Sequence, residues 1–406
     1  MNRRGFLMIA GATALGSAGC EFHLADGMFN ACAARLPERL RADPLVEAAW
    51  RGLDPANVCD VHCHVFGNGD SGSGLWFNPA LERMVPLQGY LQRVFYLNAS
   101  CAREAPGEVD RSVVDRLLNQ VDEMPQGFRA LLFAFDWARD EAGRPDPERS
   151  AFHVPDDYCA MLAERHPQRF VWAASIHPYD PAALDRLDAA AARGARAIKW
   201  LPTAQGIDPA SARCDGFYAR LTDLRMPLIS HGGDERAVRG HDEALGNPLR
   251  LRRPLDAGVR VVVAHCASLG TGRDLDRGGD ETLSNFALFA RLMDDPRYAR
   301  NIAGDISAVT QTNRVDVLPT LLARHDWHAR LLNGSDYPLP GVLPLISLPL
   351  LVERQLLDSA AVAPLREIRN HNVLMFDFVL KRSLASNGAG FARSVFETGD
   401  WFDRNG

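Results

Sequence analysis

Eight short runs rich in Val, Ile, Leu, Ala and Phe recur along the chain, each ending in polar or glycine residues: Val58 to Phe66, Arg129 to Asp136, Phe170 to Pro178, Ala195 to Pro202, Met226 to Gly233, Val259 to Ala267, Ile302 to Val309 and Leu331 to Pro338. Between them lie stretches with apolar residues at helical spacing, such as Asp156 to His166, Ala182 to Arg193, Gly216 to Arg225 and Ser284 to Asp294. Near-continuous apolar strands alternating with helices predict a parallel sheet buried on both faces. Eight such units predict closure into an α/β fold, a distorted TIM (β/α)8 barrel. An open doubly wound sheet fits less well, because Gly67-Asn68-Gly69 after the first run does not lead directly into a helix pattern.

The barrel is expected over residues 55–385, with an insertion at 67–128 after strand 1, an N-terminal extension at 21–54 and a C-terminal tail at 386–406. The insertion opens with the flexible stretch Gly67 to Gly74, and its aromatics Trp76, Phe77 and Tyr90 are candidates for a substrate lid. A helix is expected near Arg111 to Met124, and a closing helical segment from Leu365 to Ser383.

The 406 residues are 47% hydrophobic, enough for a sizeable core, and carry a formal net charge of -6. No basic block is present to release counterions, which argues against nucleic acid and leaves a small-molecule substrate. Residues 1–20 read as an N-terminal signal segment: Asn2-Arg3-Arg4-Gly5-Phe6-Leu7 precedes a short apolar stretch to Ala18, the pattern of a twin-arginine export signal. Ser17-Ala18-Gly19-Cys20 resembles a lipobox with serine where leucine is usual. Two outcomes stay open, lipidation of Cys20 with membrane attachment or plain cleavage after Ala18. Either gives an exported protein, periplasmic or a membrane-anchored lipoprotein. Eight cysteines in such a chain are not a disulfide scaffold. A pair involving Cys20 or Cys32 is open, its connectivity is not readable, and a homo-oligomer is equally open.

Candidate chemistry clusters at the ends of the runs. In Asp60-Val61-His62-Cys63-His64, strand alternation puts His62 and His64 on one face with Asp60, and Cys63 on the other. His231 ends the fifth run, His265 the sixth and Asp336 the eighth. A barrel gathers the carboxyl ends of its strands at one rim, so these five ligand types would converge on a divalent cation. Cys266, like Cys63, is expected to pack against helices instead. Among 45 Lys plus Arg only Lys199 and Lys381 are lysines, and Lys199 ends the fourth run on the face of Ala197 and Leu201. An ammonium about 4 Å from a divalent ion would be repelled by roughly 8 kcal/mol at an effective dielectric near 20. A close Lys199 is therefore uncharged, or it is displaced and paired with a carboxylate such as Asp60 or Asp305. His177 at the end of the third run, Asp305 with Ser307 at the end of the seventh, Arg236 in the loop after His231, and Trp76 are candidates for substrate contact, each weighed against a structural role.

The Asp-x-His-x-His run at Asp60, His62 and His64, together with Lys199, His231, His265 and Asp336 in Gly334-Ser335-Asp336-Tyr337-Pro338, resembles the amidohydrolase superfamily. Within it the chain is most similar to the amidohydrolase-related branch (amidohydrolase 2) that includes aminocarboxymuconate semialdehyde decarboxylase. The resemblance covers about residues 55 to 380. It implies one or two divalent ions, zinc first and manganese as the alternative, with His62, His64, His231 and Asp336 as ligands and His265 either binding metal or polarising the substrate carbonyl. It also allows Lys199 to be a carbamate bridging two ions. Water on zinc can have its pKa lowered to about 7, and Asp336 would orient it and take its proton. The leading expectation is a metal-dependent hydrolase of an amide, lactone or ester. A nonoxidative decarboxylase or hydratase of an unsaturated or aromatic carboxylic acid is the alternative, and an exported binding lipoprotein without turnover a remote one.

Overall fold

The apolar runs pair side by side as the pattern predicts. The structure is a computed structural model and describes residues 24–402 apart from Pro86, Arg239, His241 and Gly279; the expected export signal with Arg3 and Arg4 and the expected lipobox at Cys20 lie outside the described residues. One parallel sheet holds eight strands in chain order: β1 (Cys59–His64), β2 (Arg129–Phe133), β3 (Phe170–Ala174), β4 (Ala197–Trp200), β5 (Leu228–His231), β6 (Val261–Ala264), β7 (Ile302–Asp305) and β8 (Leu331–Leu332). The ring nearly closes where the chain after β8 runs along β1: Val61 N–H donates to Asn333 O at 3.0 Å and His64 N–H to Tyr337 O at 3.0 Å. Inside, Val61, Phe133, Ala173, Ala197, Ile229 and Val262 fill the barrel, small residues beside large ones. Outward residues such as Leu132, Ile198, Val263 and Cys63 pack in the layer shared with the helices.

Strict alternation fails in β1. The pairing with β2 shifts register between Asp60 and Cys63, and a bulge of this kind switches which face the following side chains take. Cys59 and Val61 belong to the barrel interior, yet His62 and His64 line the cavity above it. Asp60, expected beside them, turns away; its Oδ1 accepts from the His62 N–H at 3.1 Å and the Ser335 N–H at 2.8 Å. In β4 alternation holds, and Lys199 follows Ala197 inward. Strand β8 is only two residues long, because the chain then leaves the sheet to carry Asp336 over β1. Gly334 makes that crossing feasible, since a Cβ there would lie 2.6 Å from the His62 Cβ.

The insertion contributes α1 (Leu87–Ala99) and α2 (Val109–Asp122). Helix α1 forms one wall of the cavity through Leu91, Gln92, Phe95 and Tyr96. It is held at its end by a disulfide between Cys32 and Cys101, by the Asn30 N–H donating to Asn98 Oδ1 at 2.8 Å, and by Phe29 stacked on Phe95 at 5.6 Å. The expected closing segment is two helices, α3 (Val362–His371) and α4 (Val373–Ser383), broken at Asn372, whose side chain caps α4 by accepting from the Met375 N–H at 2.9 Å. From α4, the buried Lys381 donates to Gly334 O at 2.5 Å and to Asp377 Oδ2 at 2.6 Å, pinning the crossing from beneath. Among the described residues no helix is long and apolar enough to cross a membrane.

The bridge joins the N-terminal extension to the insertion across 69 residues, so it removes substantial freedom from the unfolded chain. Replacing Cys32 and Cys101 together with serine should lower the unfolding free energy by about 2–4 kcal/mol, read as a reduced urea midpoint. Cys63, Cys159, Cys214 and Cys266 are buried and in no disulfide among the described residues, and should resist a thiol reagent until the protein unfolds.

Candidate metal centre

The carboxyl ends of β1, β6, β7 and β8 meet at one point above the Phe133 ring. His62 and His64 lie there with ring centroids 5.2 Å apart, and the Phe133 centroid is 4.7 Å from that of His62. From the crossing after β8, Asp336 Oδ1 stands 3.4 Å from His62 Nε2 and 3.2 Å from His64 Nε2. His265 adds its Nε2 at 4.0 Å from Asp336 Oδ2. Among the described residues two groups have ligand atoms all within 4.8 Å of one another, His62 with His64 and Asp336, and His62 with His265 and Asp305. Reaching this geometry strains the backbone: His265 (φ 57°), Cys266 (φ 51°), Ala267 (φ 47°) and Asp336 (φ 60°) are all left-handed, a conformation that costs non-glycine residues roughly 1–2 kcal/mol each.

Hydrogen bonds beneath the rim assign the histidine tautomers. Asp305 is fully buried; its Oδ2 lies 3.0 Å from His62 Nδ1, and its Oδ1 accepts from the His265 N–H at 2.9 Å and the Ser307 N–H at 3.1 Å. The Ser307 hydroxyl also donates to Oδ1, which leaves its oxygen to accept from His265 Nδ1 at 2.7 Å. Both Nδ1 atoms therefore carry their protons, and both Nε2 lone pairs point at the space beside Asp336. Burial, reinforced by the Lys199 charge, lowers His62 to about 4, and burial takes His265 well below its ordinary value. The rings are neutral at pH 7. Burial alone would raise Asp336, but His265 and His62 while still protonated, and the hydrogen bond from His64, hold it well below the usual carboxylate range, so it ionises before those rings give up their protons.

His231 lines the same cavity but stays outside both compact groups. Its Nδ1 is 3.3 Å from Glu235 Oε2 and its Nε2 3.4 Å from Asp234 O, with its ring 5.3 Å from that of His265. Lys199 is buried with Nζ 5.0 Å from the Phe133 centroid, and burial lowers it to about 8. The expected pairing with Asp60 or Asp305 is not formed, since both carboxylates are occupied by the groups named above. Three expected substrate contacts are corrected by placement. Asp305 lies under the histidines, not in the cavity. His177 is fully buried, with Nε2 3.0 Å from Gln205 O and Nδ1 accepting from the Tyr179 N–H at 3.2 Å, as befits a structural histidine. Trp76 packs on Trp137 at 4.8 Å, in a short ribbon with Phe152 and His153. Arg236 does reach the cavity mouth, but half exposed and 3.0 Å from Asp234 Oδ2.

The cavity encloses about 600 Å³. Two of its polar residues, Glu235 and Arg314, escaped the sequence reading; Glu235 offered a signal, four positions after His231, whereas Arg314 sits in a loop beyond β7 with none. Glu235 is buried, and its Oε1 accepts the N–H groups of Ala237 and Val238, so it braces the loop that carries His231.

Changing Asp305→Asn should weaken metal affinity by about 10–100-fold, read by competition with a fluorescent chelator; unchanged affinity would mean that His62 needs no orienting partner. In the metal-free protein Lys199 releases its proton near 8, against 10.5 for an ordinary lysine. The unfolded chain binds the extra proton between those values, so stability rises with pH across that window and the full cost applies below it. Lys199→Met should therefore stabilise the chelated protein at pH 7, with the advantage shrinking by pH 10 in chemical denaturation.

Solved structures that resemble the chain include an uncharacterized TIM-barrel protein from Bordetella bronchiseptica (14% identity, 70% of this chain and 86% of that one, TM-score 0.46). A probable 2-pyrone-4,6-dicarboxylic acid hydrolase from Acinetobacter baumannii with bound citric acid shares 13% identity over 79% of this chain and 97% of its own, with a TM-score of 0.42. A manganese-bound 5-carboxyvanillate decarboxylase from Novosphingobium aromaticivorans shares 12% over 91% and 99%, with a TM-score of 0.44. Among curated proteins none matches. The Amidohydro_2 family model, described as amidohydrolase, matches residues 59–363. That span takes in every strand of the barrel and all the histidines at its rim, and the chain belongs to the amidohydrolase family.

Proposed function

We propose that the protein is a metal-dependent hydrolase that cleaves a C–N or C–O bond, an amide, lactone or ester, in a small molecule. The observation that carries this reading is the convergence of two unprotonated Nε2 atoms, those of His62 and His265, on an ionised buried carboxylate at Asp336. Lone pairs and negative charge facing one another in a water-poor site repel unless a cation lies among them. Imidazole and carboxylate together suit zinc, with manganese an alternative. His62, His64 and Asp336 would hold the ion, and His265, with Nε2 4.0 Å from Asp336 Oδ2, would complete its surroundings, while His231 lines the same cavity. A divalent ion bound there supplies Lewis acidity and makes a water molecule more acidic.

The chain's own groups do the rest. Asp336 is ionised and accepts the proton of the attacking water, then returns it to the leaving nitrogen or oxygen. His265, held by Ser307 with its proton on Nδ1, presents its Nε2 lone pair to the same space. Phe133 below, and Leu91, Phe95 and Leu339 at the sides, limit bulk water and strengthen these interactions. A second reading, nonoxidative decarboxylation, is favoured by one observation: Lys199 and Arg314 are buried cations that face the cavity, and both would suit a carboxylated substrate.

Chelation should abolish turnover of an ester, lactone and amide panel, and zinc or manganese should restore it. Asp336→Asn should lower kcat by about 10²–10⁴-fold. Activity indifferent to the chelator would sink the proposal, and release of carbon dioxide from an aryl or unsaturated acid would select the second reading.

A further inference from the structure

Four cationic side chains are buried among the described residues, Lys199, Arg314, Arg369 and Lys381. Burying a cation is costly unless it is paired or fully hydrogen-bonded. Two of the four meet that condition. Arg369 donates to the carbonyls of Pro340 at 2.7 Å, Val342 at 3.0 Å and Ile346 at 3.2 Å, and Lys381 is paired with Asp377. Arg314 does not. Its Nη1 donates to Ser268 Oγ at 3.1 Å, its Nε has no partner, and none of the ion pairs among the described residues includes it. It is only 6% exposed and lines the cavity that holds the candidate metal centre. Leucine and aromatic side chains, Leu91, Phe95, Phe152 and Leu339, make up much of the remaining lining of that cavity, with Gln88 and Gln92 among them.

We propose that Arg314 is the receptor for the carboxylate of a substrate whose remaining body is apolar, so that the enzyme takes hydrophobic monocarboxylates, an acyl or aryl group joined to a single acid. The inference rests on the proposed metal-dependent reading for the bond that reacts, but Arg314 holds the part of the substrate that does not. Charge balance limits the number of acids. Asp305, Asp336 and Glu235 oppose Arg314 and Lys199, so a divalent ion leaves the site with at most one excess positive charge, present while Lys199 keeps its proton and absent once it is neutral. If Lys199 were instead a carbamate between two ions, the excess would again be one. One carboxylate neutralises it; a second would have to be buried against the leucine and phenylalanine wall. A planar guanidinium with free N–H groups also matches the two oxygens of a carboxylate better than an ammonium would.

The test is calorimetric, with the zinc-loaded full chain and three probes: 4-phenylbutyrate, its primary amide and the dianion phenylsuccinate. The monoanion should bind about tenfold or more tighter than the amide, the range expected for a charged hydrogen-bonded pair, and tighter than the dianion. Arg314→Gln should erase the preference for carboxylate over amide while leaving the amide affinity unchanged, and Arg314→Lys should recover part of it. Equal binding of monoanion and amide by the wild-type protein overturns the inference without recourse to any variant, as does a preference for the dianion. A preference that survives Arg314→Gln with zinc bound also overturns it, because the acid is then held by the ion or by Lys199. Zinc binding is measured first in the same instrument; its failure would count against the metal reading alone.

Discussion

One buried carboxylate organises the rim of this barrel. Asp305 binds the ring of His62 on β1, the backbone of His265 after β6 and the hydroxyl of Ser307, and through Ser307 it also fixes the ring of His265. Each contact alone is ordinary, but together they settle which nitrogen of each imidazole is protonated. Without that choice the two Nε2 atoms would have no reason to present lone pairs to the same space, and the group would no longer fit a cation. The strained turn at His265 to Ala267 and the left-handed Asp336 are tolerated because the surrounding bonds over-determine them.

Much of the architecture was legible in the chain because the barrel obeys a simple rule. Buried parallel strands must be continuously apolar and must end where chemistry begins, so counting apolar runs and reading their last residues found His62, His64, His231, His265 and Asp336 at one rim. The failures have equally specific causes. Asp60 was misplaced because a bulge, which leaves no mark in a five-residue pattern, switches the face of β1. Asp305 and His177 end their strands just as the rim residues do, and only three-dimensional packing shows that one lies beneath the histidines and the other beside Gln205. Trp76 looked like a lid because aromatics near a glycine-rich loop often are one; here the cavity wall is α1, with Phe95 and Tyr96 facing inward. The bridge between Cys32 and Cys101 could not be read, since spacing says nothing about which segments fold together.

The chain's two lysines illustrate how position outweighs type. Both are buried in a protein that otherwise uses arginine, and they serve opposite ends of one structural problem. Lys381 is fully partnered and supports the crossing that carries Asp336. Lys199 has no carboxylate partner among the described residues and keeps its nitrogen over the Phe133 ring, at the edge of the polar end of the cavity. At Lys199 a guanidinium could not give up its charge were a divalent ion bound beside it.

The tethered helix α1 bears on how such an enzyme diversifies. Its inward side chains form much of the chamber's flank, yet its anchors, Cys101 and Asn98, belong to its far end and lie away from the sheet. Selection can therefore rewrite Leu91 or Gln92 one at a time, resizing the chamber for new guests, while the barrel beneath keeps its chemistry intact.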